Sequence, residues 1–167
     1  MERVAVICLH TCPLGRLGLR DSGGMNVFVR NLARELGRQG LAVDVFTRAH
    51  DSQHPPMIAL GPNARLIHLR AGPTRLRRER LVPHLPAFLD GLRQFEHEHG
   101  LHYDLVHSHY WLSAWVGRTL AQEWRAPHVV TFHTLTEVKQ RARVGEKEEM
   151  DLRGETEREL IASATGI

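Results

Sequence analysis

Cysteine is scarce in this 167-residue chain: Cys8 and Cys12 are its only two. Two thiols make neither a disulfide framework nor a four-ligand zinc site. No apolar run approaches the ~18 residues that a membrane-spanning helix needs. The opening Met-Glu-Arg-Val-Ala-Val-Ile lacks the basic region and cleavage site of a signal peptide. Repeats and low-complexity tracts are absent, and 42% hydrophobic with 25% charged residues excludes collagen, coiled coil and wholesale disorder. The length suits about one domain, 1–167, and the expected setting is the reducing cytoplasm. Also missing are the Gly-x-Gly-x-x-Gly dinucleotide fingerprint and the Gly-x-x-x-x-Gly-Lys phosphate loop. That argues against an NAD-dependent oxidoreductase. Asp44 stands at the distance of a ribose-binding acid, but within a strand and not at its end.

Charge is present but uneven. The net charge is +3, yet residues 65–80 hold six arginines (65, 70, 75, 77, 78, 80) against Glu79, so the remainder is slightly acidic. A local patch suits a small anion better than a nucleic-acid track.

Apolar runs predict strands at 3–10, 42–47, 64–69, 104–108 and 128–131. Helical spacing of Met25, Phe28, Val29, Leu32, Ala33 and Leu36 predicts a helix that Gly40 stops. Leu85, Phe88, Leu89, Leu92 and Phe95 predict a second, Trp111–Trp124 a third, and Glu155–Ala164 a fourth. Residues 11–24 and 71–80 read as loops, and the charged stretch 137–158 gives no clear periodicity. Strands alternating with helices make this an α/β protein with an open parallel sheet covered on both faces. Ser163-Ala-Thr-Gly-Ile167 reads as a helix end followed by the first residue of another strand, so continuation of the chain is expected.

Ligands of such sheets bind beyond the carboxyl ends of the strands. After the first strand come His10-Thr-Cys-Pro-Leu and Asp21-Ser-Gly-Gly-Met-Asn, in which Gly23 and Gly24 open a helix. Glycines there admit an anion to backbone amides at the positive end of the helix dipole, although a bare tight turn would need them too. After the fourth and fifth strands come His107-Ser-His-Tyr-Trp and Thr131-Phe-His-Thr-Leu. Two histidines in His107-x-His109 do not make a metal site, and packing is their plainer reading. Trp111, Trp115 and Trp124 share one helix and read as packing. His97, His99 and His102 read as solvated.

These segments in this order resemble the N-terminal half of the retaining GT-B glycosyltransferases of family 4. Val43-Asp-Val-Phe-Thr-Arg, Ala71-Gly-Pro and Val138-Lys extend the likeness along the whole chain. The resemblance implies a Rossmann-like acceptor domain, with a C-terminal nucleotide-sugar domain absent from this chain. The implied partners are a UDP-sugar donor and a phosphorylated small-molecule acceptor, inositol phosphate or fructose 6-phosphate. It implies no cofactor and no obligatory metal, and homodimers occur in the family. By the same likeness Gly23 and Gly24 offer amides to the donor diphosphate, and Asn26 bonds acceptor hydroxyls. Arg78, Tyr110, Thr134 and Arg153 hold the acceptor phosphate, and His133 sits at the reacting centre. Arg78 stands where the family usually has lysine; a guanidinium also binds phosphate, with a different geometry. Front-side displacement, with the leaving diphosphate accepting the proton, fits a site without a carboxylate nucleophile. A non-catalytic sugar-phosphate-binding module is the alternative of another class.

Overall fold

The computed structural model describes residues 2–15, 23–51, 54–136 and 147–167, with only the backbone of 147–150. Asp21, Ser22 and the Val138-Lys139 pair lie outside the described residues. Six strands form one sheet: β1 (Arg3–Ile7), β2 (Ala42–Arg48), β3 (Met57–Gly61), β4 (Ala64–Leu69), β5 (Leu105–His109) and β6 (His128–Thr131). Their order is β3-β4-β2-β1-β5-β6. Every pairing is parallel except β3 with β4. The sheet is thus parallel with one antiparallel edge strand, β3, which the sequence reading lacked. Among the described residues four helices accompany it: α1 (Gly24–Arg38), α2 (Leu85–Glu98), α3 (Trp111–Trp124) and α4 (Lys147–Ser163). Two short 3₁₀ turns, Arg78–Arg80 and Val82–His84, lead into α2 where a plain loop is expected.

Strand alternation sorts the core into two layers. Val4, Val6, Val43, Val45 and Leu66 pack with Val29 and Ala33 of α1. Ala5, Ile7, Phe46 and Ile67 pack instead with Phe88 and Leu92 of α2 and with Leu112 and Val116 of α3. Both faces are therefore covered, which is why the strands read as nearly continuous apolar runs. Helix α3 lies so close to β5 that a Cβ on Gly117 would fall 2.0 Å from Ser108 Oγ. Leu160 of α4 joins Ala114, Val130 and Phe132 in a third, smaller cluster. Beyond α4, Gly166 forms a parallel bridge to Val129.

The arginines of 65–80 do not form one patch. Arg65 opens β4 at the amino edge of the sheet and holds buried Asp44 through Nε and Nη2, at 2.5 and 3.2 Å. Arg3 and the Tyr103 hydroxyl donate to the same carboxylate. Arg70 and Arg78 follow the carboxyl end of β4. A strand of six residues separates Arg65 from Arg70 by ~16 Å, so adjacency in sequence overstates the cluster.

Candidate functional site

Strand β1 is flanked by β2 on one side and β5 on the other, so the chain reverses its winding direction at β1. The crevice outside the carboxyl ends of β1 and β5 is where this topology gathers ligand-binding loops. His10 follows β1, His109 and Tyr110 end β5, His133 and Thr134 follow β6, and the start of α1 lies among them.

The backbone is strained there. Tyr110, which begins α3, has φ 75° and ψ 155°, and His133 has φ 61°. Among the described residues two other non-glycine residues have positive φ: Asn63 in the β3–β4 turn and Arg125 at the end of α3. Conformations of this kind cost about 1–3 kcal/mol each and persist where the surroundings over-determine them. Tyr110 is fixed by its N–H on Thr131 O at 2.9 Å and by its carbonyl, which accepts from Ala114 N.

Four residues that the family likeness assigns to acceptor phosphate come together around the Tyr110 ring. Arg153, at 2% exposure, donates through Nη1 to the Tyr110 hydroxyl at 3.1 Å. Its Nη2 donates to Thr134 Oγ1 at 3.1 Å and to the Thr134 carbonyl. The guanidinium carbons of Arg153 and Arg78 lie 4.7 and 5.7 Å from the Tyr110 ring centroid. Arg78 also contacts Glu79 at 3.2 Å. Arg153 Nε donates to Glu157 Oε1 at 2.5 Å, while Glu157 Oε2 accepts the Thr136 N–H at 2.8 Å. Arg48, at the end of β2, donates to the carbonyls of Pro73 and Thr74 and so pins the loop that leads to Arg78.

His10, which the sequence reading placed after the first strand without giving it a role, stacks on Tyr110 with centroids 4.4 Å apart. Burial, with Arg78, His50, His133 and Arg153 nearby, pushes its pKa down to about 3. Its Nδ1 is buried without a hydrogen-bond partner among the described residues. Burial is the main cause of the lowered pKa, and the guanidiniums of Arg78 and Arg153 nearby add to it.

Gly23 caps α1 and Gly24 is its first residue, with no acidic side chain in the first turn to offset the dipole. A Cβ at either glycine would meet nothing within 4 Å, so their own chain does not require their smallness. Asn26 is placed otherwise than its expected contact with acceptor hydroxyls suggests. It is 1% exposed, and its Nδ2 donates to Thr11 Oγ1 and to the Cys12 carbonyl. Its Oδ1 accepts from Gly23 N at 3.4 Å. Asn26 therefore ties the loop after β1 to the start of α1.

His133 is exposed, and its Nε2 lies 3.0 Å from Nδ1 of fully buried His109. Phe28 meets both rings edge-on, at 5.8 Å from His109 and 5.6 Å from His133. Phe28 thus leaves the core stripe that its helical spacing predicts and stands 47% exposed beside the site. His107 turns to Thr131 Oγ1 instead, at 2.9 Å. No group of three or more His, Cys, Asp or Glu among the described residues is arranged to hold a metal ion.

Comparison with known proteins shows the family and the fold. The model of the glycosyl transferase 4-like domain matches residues 23–167. A D-inositol 3-phosphate glycosyltransferase of Corynebacterium efficiens is 44% identical over 164 residues, 97% of this chain and 39% of that protein. One from Actinosynnema mirum is 47% identical over 142 residues, 83% of this chain and 34% of that protein. Sucrose-phosphate synthase of Thermosynechococcus elongatus superposes with a TM-score of 0.88 at 34% identity, covering 98% of this chain and 41% of that one. The chain spans between one third and about two fifths of the length of these proteins, and its sheet matches a Rossmann-like half of the GT-B fold. On the match of residues 23–167, the chain belongs to the glycosyl transferase 4-like domain family.

Proposed function

We propose that residues 1–167 are the acceptor-side N-terminal domain of a retaining glycosyltransferase. The enzyme transfers a sugar from a UDP-sugar to a phosphorylated polyol, with inositol phosphate the first choice. The observation that carries this reading is the convergence of Arg78, Arg153, Tyr110 and Thr134 at the switch-point crevice. Two guanidiniums and two hydroxyls supply the charge and donors that a phosphomonoester needs. A second anion, the donor diphosphate, is assigned to the amides of Gly23 and Gly24 at the bare start of α1. A C-terminal domain outside this chain supplies the remainder of the nucleotide-sugar site. The two free thiols, Cys8 and Cys12, are in keeping with a cytoplasmic enzyme.

Glu157 is 4% exposed and its two carboxylate oxygens accept from Arg153 and from the Thr136 N–H, so its place is in the support of Arg153. Front-side displacement needs no carboxylate nucleophile: the leaving diphosphate oxygen takes the acceptor's proton. Catalysis then consists of positioning and of stabilising charge on the leaving group. His133 orients the transferred sugar in this scheme.

The overlap with sucrose-phosphate synthase favours a second acceptor, fructose 6-phosphate. A product assay on the full-length protein, crossing UDP-sugars with inositol phosphate, fructose 6-phosphate and their dephosphorylated forms, tests both readings. Product from inositol phosphate but not from free inositol is expected, and residues 1–167 alone should give none. Equal turnover of a dephosphorylated acceptor refutes the phosphate site. Binding without turnover by the full-length protein would make it a sugar-phosphate-binding module.

A further inference from the structure

We infer that buried His109 is a positioning residue that locks His133 in the tautomer carrying its proton on Nδ1, so that His133 presents an N–H donor to the bound sugar. The lock rests on geometry; its effect on turnover rests on the transferase reading above.

The contact between His109 Nδ1 and His133 Nε2, at 3.0 Å, holds one proton. Either His109 donates, or His133 does. The other nitrogen of His109 decides between them. His109 has 0% exposure, and its Nε2 meets no partner among the described residues. If His133 donated, neutral His109 would have to keep its own proton on Nε2, a buried N–H with no acceptor among the described residues. Buried donors left unpaired are rare and cost more than an unpaired lone pair. If His109 donates from Nδ1, only a lone pair on Nε2 goes unused. His109 does not escape by charging, since burial with His107 and His133 nearby drives its pKa far below the usual imidazole range. His109 is therefore the donor and His133 Nε2 the acceptor. A neutral His133 must then carry its proton on Nδ1, the nitrogen not engaged by His109. The hydrogen bond that one ring nitrogen makes sets the tautomer of the other.

The surroundings hold both rings in this relation. Phe28 packs edge-on against each of them. The left-handed backbone of His133, φ 61°, turns its ring back toward β5. His109 follows rigidly from β5, where it pairs with Thr131 in the β5–β6 register. The arrangement gives His133 a fixed direction and a fixed donor, which is what an orienting group for a sugar hydroxyl or a leaving oxygen requires.

The test reads the tautomer directly. Imidazole nitrogens of the full-length protein, labelled with 15N-histidine, are observed near pH 7, and the His133 signals are assigned by their loss in His133→Ala. A protonated Nδ1 and an unprotonated Nε2 on His133 are expected. A proton on Nε2, or an imidazolium, overturns the inference whatever the activity. Two variants then test the consequence. His109→Phe removes the donor, and His109→Asn retains an N–H close to the place of Nδ1. We expect His109→Phe to lower kcat about tenfold with acceptor KM nearly unchanged, as the loss of one hydrogen bond predicts. His109→Asn should restore most of it. Should His109→Phe fail to fold, the wild-type spectrum and His109→Asn still decide. Unchanged kcat in a folded His109→Phe refutes the positioning role while leaving the tautomer intact. Absence of transfer with every donor and acceptor refutes the transferase reading and leaves the tautomer result standing.

Discussion

Removing the Arg153 side chain leaves the Glu157 carboxylate, at 4% residue exposure, with a single backbone donor. Breaking a buried ion pair from one side costs about 3–5 kcal/mol, because the remaining charge has lost its partner without regaining water. Arg153→Ala is therefore expected to lower the melting temperature substantially as well as to weaken acceptor binding. Arg78 differs. Its side chain is 23% exposed and its ion pair with Glu79 is partly solvated, so its charge can be removed at small structural cost. Arg78→Ala should leave the melt within a few degrees of the parent and raise acceptor KM roughly ten- to a hundred-fold, the worth of a charged hydrogen bond. Melts beside steady-state kinetics of the full-length protein separate the two. A KM unchanged in Arg78→Ala removes that residue from the acceptor site. Arg153 entered the reading through family likeness alone, and Arg78 through the likeness and the basic patch together. Residue chemistry alone pointed to a basic patch, and that patch included Arg65, which serves Asp44 at the opposite edge of the sheet.

At the scale of elements, legibility followed what each element buries. Strands β1, β2, β4, β5 and β6 carry apolar runs because helices cover the sheet, and all five were readable. Edge strand β3, Met-Ile-Ala-Leu-Gly, carries a short apolar run too, but it begins just after Pro55-Pro56 and fully buries only Leu60, and the sequence reading did not take it as a strand. Helix α4 was read only from Glu155, eight residues after its start at Lys147. Its buried positions 153, 156, 157 and 160 have perfect helical spacing, but they are Arg, Thr, Glu and Leu. A helix that buries an ion pair in place of an apolar stripe is invisible to hydrophobic periodicity. The start of α1 is the reverse case, a loop-to-helix junction legible from Gly23-Gly24 together with the apolar spacing that begins at Met25. Since a Cβ at Gly24 meets nothing and its φ is not positive, Gly24→Val should change stability by less than about 0.5 kcal/mol. Backbone strain gives no reason for its loss of function. If the diphosphate rests on these amides, the same substitution abolishes donor turnover by occupying the approach. A folded Gly24→Val enzyme with normal donor kinetics would move the diphosphate elsewhere.

Across the whole molecule, the histidines that the sequence scattered over twelve positions divide into solvated and buried sets. His97, His99 and His102 are exposed, as their polar segment suggested. His10, His109 and His128 are nearly or wholly buried, each at a strand or just beyond one. Spacing could not sort them, because an imidazole on a strand end satisfies the same pattern whether it packs or titrates. Burial lowers the pKa of His10 to about 3 and that of His128 to about 4, and depresses His109 further. In the unfolded chain these groups titrate near 6.5. Between those limits the unfolded state binds more protons than the folded one, so stability rises with pH through that window. It is fully present above pH ~6.5 and is lost as pH falls toward 4, by up to ~1.4 kcal/mol per pH unit for each buried histidine. Asp104 and Glu123 have pKa values lowered by their partners, so their contribution is lost as pH falls through the ordinary carboxylate range and below it, under pH ~5. The interval from pH 7 to 5 therefore isolates the histidines. Denaturant melts of the chain at pH 7, 6 and 5 should show midpoints that fall step by step, with the steeper drop between 6 and 5. Replacing His128, whose Nε2 lies 2.9 Å from Ser108 Oγ, by Gln should flatten the slope by about one proton's worth, whatever it does to stability at pH 7. Midpoints that do not move between pH 7 and 5 would mean that these imidazoles are as basic in the folded protein as in the unfolded chain.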